Sequence, residues 1–187
     1  MGELKDYSGP LRPNVKLTDF SSEALARLVV AAAKLYVGLD GLWYNLIKER
    51  FGEQMACELD RELWRRAEPF EVNRTREALN IMGSDVASFL KFCQCDPGSG
   101  VFMDMDVELS DEDHGIMTIK RCNSLEYFER HGETVLQKNA CDIDVWGFPK
   151  AASRFNPDMK VTPLKLPPRK SKDEVACQWE VKIEKKT

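Results

Sequence analysis

Histidine is scarce. Only two occur in 187 residues, His114 and His131, and neither belongs to an HExxH pair. No glycine-rich phosphate loop is present, and no serine sits in a nucleophile elbow. These absences remove the usual signatures of zinc proteases, nucleotide-binding folds and serine hydrolases. No apolar run reaches the ~18 residues that a membrane span needs. The longest candidate, Leu28-Val29-Val30-Ala31-Ala32-Ala33, ends at Lys34. The opening residues Met1-Gly2-Glu3-Leu4-Lys5-Asp6 lack the basic start and apolar centre of a secretion signal. A cytoplasmic protein without membrane contact is therefore expected.

Neither sign of charge dominates. Lys plus Arg is 27 and Asp plus Glu is 31, for a net charge of -4, which gives no general attraction to nucleic acid. The distribution is uneven: 104–113 carries six acids and no base, and 160–187 carries eight bases against four acids. An acidic hairpin and a basic tail, both solvated, account for this. With 43% hydrophobic and 31% charged residues, the chain can bury one real core.

Ahead of the core, residues 1–20 hold Gly9, Pro10 and Pro13 and read as an irregular arm. Residues 21–187 form one domain, helical over 21–96 and sheet-containing over 97–187. Ser21 or Ser22 can start a first helix. Its apolar residues recur at helical spacing to about Phe51: Leu25, Leu28, Val29, Ala32, Leu35, Tyr36, Leu39, Trp43, Leu46 and Ile47. A second helix runs from Glu53 to about Arg66, with Met55, Ala56, Leu59, Leu63, Trp64 and Ala67 as its apolar stripe, and Pro69 ends it. A third spans about Glu71 to Phe92. The cluster Asp96-Pro97-Gly98-Ser99-Gly100 marks the boundary, after which period-2 alternation over 101–109 and 116–121 predicts a β-hairpin. Helices over 125–131 and 135–154, the second interrupted at Gly147 and Pro149, precede strands at 159–166 and 175–184. The expected class is α+β: an N-terminal helical layer on a small antiparallel sheet with interspersed helices.

Two carboxylates sit on apolar stripes. Asp40 shares a helix face with Tyr36, Trp43 and Ile47, and Asp60 with Ala56 and Trp64. A buried carboxyl must find donors or take a raised pKa, which makes both candidates for general acid or base work and equally candidates for simple hydrogen bonds to a neighbouring Trp or Tyr. Six cysteines occur at 57, 93, 95, 122, 141 and 177. Cys57 falls in a helix stripe, and Cys93-Gln94-Cys95 lies at a helix end. Cys122, Cys141 and Cys177 are far apart in sequence, but a sheet covered by a helix can bring such positions together. With His131, Asp142, Asp144 or Glu126 as a fourth ligand they would suit zinc or iron. Buried thiols and a nucleophilic Cys141 are the other readings. Trp43, Trp64 and Tyr36 are candidate apolar walls for a ligand. Arg121 and Arg154 are candidate partners for a substrate carboxylate.

The stretch Leu39-Asp40-Gly41-Leu42-Trp43-Tyr44, followed by Phe51-Gly52, Ala56, Asp60 and Trp64, carries a resemblance. So do Cys122, Gly132, the helix around Cys141, Pro157, Pro167-Pro168 and Cys177-Gln178-Trp179-Glu180. Over residues 20–184 the chain resembles an uncharacterised family of bacterial cytosolic proteins. That family is similar to the L-2-amino-thiazoline-4-carboxylate hydrolase-like group and, more distantly, to 4-vinyl reductase type ligand-binding domains. The first similarity implies opening of a small heterocycle, a cyclic amidine or thioimidate, by water. The second implies a small-molecule pocket between helices and sheet, with cysteine-liganded zinc in some members and Cys122, Cys141 and Cys177 in corresponding places. The zinc-binding version has two ligands close together before its last strand, a spacing this chain does not share.

The expected function is a small-molecule hydrolase or lyase acting on a carboxylated or sulfur- or nitrogen-containing metabolite, with Asp40, Asp60 and Cys141 as its chemical groups. Non-catalytic sensing of a small molecule or metal, with a partner protein, is the alternative. A structural subunit, the third reading, predicts no ligand and a large exposed apolar surface; a homo-oligomer or a protein partner is left open.

Overall fold

The computed structural model describes residues 3–184. Ser21 caps the first helix, its Oγ accepting from the Ala24 N–H at 3.3 Å. Helix α1 runs over Ser22–Phe51 and α2 over Glu53–Leu79. One residue joins them. Gly52 sits at φ 87, a conformation that costs glycine little, and turns the chain back into an antiparallel hairpin. Asn80 ends α2 in the left-handed region, at φ 52. Asp85 opens α3 (Val86–Cys95), its carboxylate accepting from Ser88 N–H at 2.7 Å.

The hairpin β1 (Asp104–Asp111) and β2 (His114–Arg121) follows, then α4 (Asn123–His131), α5 (Thr134–Phe155), β3 (Met159–Lys165) and β4 (Cys177–Ile183). The four strands form one antiparallel sheet in the order β1-β2-β4-β3. The register pairs Met117 with Trp179 and Ile119 with Cys177. Those side chains are buried against α3 and α5, together with Phe89, Phe92, Phe148 and Phe155. On the other face, Gln178 donates to Thr118 and His114 meets Glu180. The class is α+β, with helices packed on one face of the sheet.

A second, smaller apolar cluster of Tyr44, Ile47, Ala56, Cys57, Phe128 and Leu136 ties the closed end of the α1–α2 hairpin to α4 and α5. No helix is long and apolar enough to cross a membrane among the described residues.

Several helix expectations are corrected. Pro69 does not end α2, which continues ten residues past it to Leu79. The lost backbone bond is tolerated because α2 is held on both sides by α1 and α5, with an ion pair from Glu68 to Arg154 beside the proline. The expected helix over 71–92 is two helices, broken at Asn80. Gly147 and Pro149 do not interrupt α5. Strand β1 begins at 104 because Phe102 and Met103 still fold back on Ser99 O. The largest difference concerns α1. Of the ten apolar residues that recur at helical spacing along it, only Ile47 is buried, and Leu28, Leu35, Leu39, Trp43 and Leu46 lie in the open. Packing, not periodicity alone, selects which apolar face goes inside, and α1 is covered chiefly by α2.

Candidate functional site

Where the two apolar clusters fail to meet, a cavity of about 520 Å³ remains. Its walls come from α1, α2, the turn after α3, α4 and α5. Trp64, Phe92, Phe102, Phe128 and Phe148 supply aromatic surface, and Asp40, Asp60, Glu68, Glu71, Asp96 and Asp144 all reach it.

Asp40 on α1 and Asp60 on α2 lie close enough across the hairpin for each to act on the other's titration, with Trp64 beside both. Two neighbouring buried carboxyls resist ionising together. Asn139 on α5 donates to Asp60 Oδ2 at 2.5 Å. Its own amide oxygen is fixed by Arg61 Nε at 2.7 Å, so the NH₂ end must point at Asp60. No donor from another residue reaches the buried Asp60 Oδ1. Burial and the neighbouring Asp40 charge push Asp60 up to about 7. Burial also raises Asp40, while Trp64 and Asp60 oppose the rise. The pair holds one proton near neutrality, as interacting carboxyls do when both cannot ionise.

A second acidic group lies along the same wall. Tyr36 donates its hydroxyl to Glu71 Oε1 at 2.8 Å. Burial and the Asp96 charge push Glu71 up to about 8. Asp96 Oδ2 accepts from Gly98 N–H at 3.0 Å and from Ser99 Oγ at 3.1 Å. Its Oδ1 is buried without a partner, and burial pushes it up to about 6. Gly100 is required here, because a Cβ at that position would meet the backbone of Cys93 and Gln94. On α5, burial alone pushes Asp144 up to about 7.

Burial raises the three candidate ligand thiols. Cys141 lines the cavity, and burial with the Asp144 charge pushes it up to about 12. Burial pushes Cys122 up to about 11 and raises Cys177 further. The three cysteines do share a neighbourhood, each near enough to Asp144 to feel its charge. They do not form the expected ligand set. Among the described residues, no group of three or more His, Cys, Asp or Glu side chains is arranged to hold a metal ion. Cys122 Sγ instead caps α4, accepting from Leu125 N–H at 3.4 Å, and Cys177 Sγ accepts from Trp179 Nε1 at 3.2 Å. His131 lies exposed at the end of α4, bonded to Tyr127 O at 2.8 Å and stacked on the Tyr127 ring.

The binding candidates divide as well. Trp64 lines the cavity, and Tyr36 packs edge-on behind it at 5.8 Å. Trp43 points outward, 51% exposed. Arg154 is engaged by Glu68 through two bonds of 2.6 and 2.8 Å. Arg121 pairs with Glu126 on the surface. Neither guanidinium is free for a substrate carboxylate. The sequence reading passed over Glu71, Asp96 and Asn139. Glu71 carried a usable signal, since it follows Asp60 and Trp64 by eleven and seven residues and so shares their helix face.

A family model matches residues 18–183: DUF6125, described as a family of unknown function. The chain belongs to DUF6125. The match starts just ahead of α1 and ends with the last residue of β4, so every wall of the cavity falls inside it. No curated protein and no solved structure matches the chain.

Proposed function

We propose that the chain is a hydrolase for a small, basic, nitrogen-containing metabolite, and that Asp40 and Asp60 act as its acid–base pair. The observation that carries this reading is the pair of neighbouring, partly buried carboxyls that both line a cavity of about 520 Å³. Pairs that share one proton supply an acid and a base at the same pH. The protonated member would give its proton to a C=N nitrogen while the ionised member takes one from water. The water oxygen then bonds to the carbon. Collapse of that adduct forms the C=O and returns the hydroxyl proton to the carboxylate that gave one up, while the C–N or C–S bond of the ring breaks and the departing atom takes the proton removed from water. Asn139 would hold Asp60 in place, and Trp64 would steady whichever carboxylate is charged.

The same wall argues for the class of substrate. Six carboxyls line the cavity, and the one Lys or Arg among its lining residues is the exposed Lys34. Such a site favours an amidine or protonated imine over an anion, so the carboxylated substrate expected from sequence is the less suited one. A cyclic amidine or thioimidate fits this chemistry and agrees with the hydrolase-like resemblance. The acids beyond the pair, Glu71, Asp96 and Asp144, exceed what one hydrolytic step needs and favour a second reading: recognition of a cation without turnover, as in a sensor.

Incubating the protein with a panel of cyclic amidines and thioimidates, with turnover followed by mass spectrometry and binding by calorimetry, separates the two. Hydrolysis that falls at least ~100-fold in both Asp40→Asn and Asp60→Asn, a typical size for loss of general acid–base catalysis, with binding and melting temperature retained, supports the enzyme. Binding without turnover in the wild type supports the sensor. Neither binding nor turnover across the panel overturns both.

A further inference from the structure

Helix α1 carries an apolar seam that this chain leaves uncovered. Leu25, Leu28, Ala32, Leu35, Leu39, Leu42 and Leu46 follow one another at intervals of three and four residues, three heptads without a break. That 3.5-residue repeat is the pattern of helices packed on helices. Leu28, Leu35, Leu39, Leu42 and Leu46 are nevertheless 53%, 74%, 67%, 65% and 46% exposed. The face that meets α2 holds Ala33, Tyr44 and Ile47, and at roughly 100° per residue the seam lies well round the helix from it. The cavity-lining residues Lys34, Gly41 and Asn45 lie further round by the same count, and Gly38 and Leu42, at the seam's edge, also line the cavity. On α2, Met55, Leu59, Leu63 and Phe70 form a matching exposed stripe. The back of the hairpin is therefore a broad apolar face.

We propose that this face is covered by the same face of a second copy of the chain, two hairpins packing back to back as a four-helix bundle. Two observations select that occupant. One is area. A folded chain of 21.4 kDa should expose about 9,100 Å² by the usual size scaling. This one exposes 11901 Å², an excess of about 2,800 Å² shared between this face and the exposed arm ahead of α1, against about 800 Å² per chain in a standard interface. The other is the pattern. An isologous pair needs a self-complementary patch, and a heptad seam provides one. Its flanks hold Ala31 and Gly38 on one side and Val29 and Trp43 on the other, so small residues allow close approach and no charge opposes like charge. A membrane surface suits the face less, since helices lying on lipid usually carry Lys and Arg on their polar side, and between Leu28 and Ile47 the one base is Lys34.

The test is the mass in solution of the full chain and of a Leu35→Glu/Leu39→Glu variant, by light scattering and sedimentation between about 1 and 50 µM, a range in which interfaces of this size associate. The expected wild-type mass is twice 21.4 kDa. The variant should sediment as one chain with its helical circular dichroism intact, the dimer weakened at least ~100-fold. Should that variant unfold, Leu39→Ala/Leu42→Ala replaces it, with a raised dissociation constant at unchanged helicity as the supporting result. A wild-type monomer at 50 µM overturns the proposal, as does a dimer indifferent to both variants. A monomer that floats with anionic phosphatidylserine vesicles also overturns it and assigns the face to lipid.

Discussion

Asn139 gives its amide proton to Asp60 at 2.5 Å across 79 residues of sequence, and Arg61 holds the other end of the same amide. The amide is directional: an N–H faces the carboxyl because a guanidinium claims the oxygen. Asn139→Asp should then place a third carboxyl against the Asp40–Asp60 pair and destabilise the fold by about 1–3 kcal/mol, the cost of an unsatisfied buried group, while Asn139→Leu removes only the donor. Thermal unfolding of both variants at pH 7 checks this. An Asn139→Asp protein as stable as wild type would mean that the amide does not fix Asp60.

The raised acids make a statement about pH. Asp60, Asp96 and Asp144 would titrate near 3.8 and Glu71 near 4.5 without the fold, but in it they hold protons up to about 7, 6, 7 and 8 respectively. Between about pH 4 and 8 the folded chain binds more protons than the unfolded one, so stability declines as pH rises through that window. The stabilisation is complete below pH 4 for these groups and gone above their folded values. Carboxylates that are lowered, such as Glu126 and Glu129 beside Arg121 and Arg169, work in the opposite sense only in more acidic solution. The melting temperature should fall by about 4 °C or more from pH 5.5 to 8.5, a shift of the size one or two kcal/mol produces at this length. Glu71→Gln should flatten the slope. A melting temperature that climbs over this range would refute the assignment.

Glu68 is buried and meets Arg154 through two bonds. Arg154 stays one-third exposed, which softens the pair below the 3–5 kcal/mol lost when a fully buried one is broken. Arg154→Met should cost about 2 kcal/mol, Glu68→Gln less, because the amide leaves no stranded charge. Were Arg154 instead a carboxylate clamp for substrate, its loss would raise KM with the melting temperature unmoved.

Much of this architecture was readable along the chain. The β1–β2 hairpin, the inward alternation Cys177-Trp179-Val181 and the turn at Asp96-Pro97-Gly98 follow from local rules, because a strand's two faces and a turn's special residues are written within a few positions. Asp40 and Asp60 were also findable, since a carboxyl on an apolar stripe is anomalous wherever the partner lies. The buried face of α1 was not. Two apolar stripes run along that helix, and the one with the stronger repeat, through Leu35 and Leu39, is the one the chain leaves open. Nor was the ligand set of Cys122, Cys141 and Cys177 decidable. Topology brings the three near Asp144, but whether sulfur lone pairs converge depends on side-chain direction, and here Leu125 N–H and the Trp179 indole take two of them.

That distribution of thiols gives a further expectation. Cys95 is exposed, Cys122 and Cys141 are half-buried, and Cys57, Cys93 and Cys177 are buried. Alkylation needs a thiolate that the reagent can reach. In native protein at pH 7.5, iodoacetamide should modify Cys95 first. Cys122 and Cys141 should follow far more slowly, because burial holds them near 11 and 12, and the other three should react only after unfolding. Peptide mapping by mass spectrometry gives the order. Adding zinc should leave it unchanged, since a bound ion would hold Cys122, Cys141 and Cys177 as thiolates and shield them. Zinc at one equivalent that protected all three together would show that these cysteines close around a metal after all, and would return Lewis-acid chemistry to the cavity beside the Asp40–Asp60 pair.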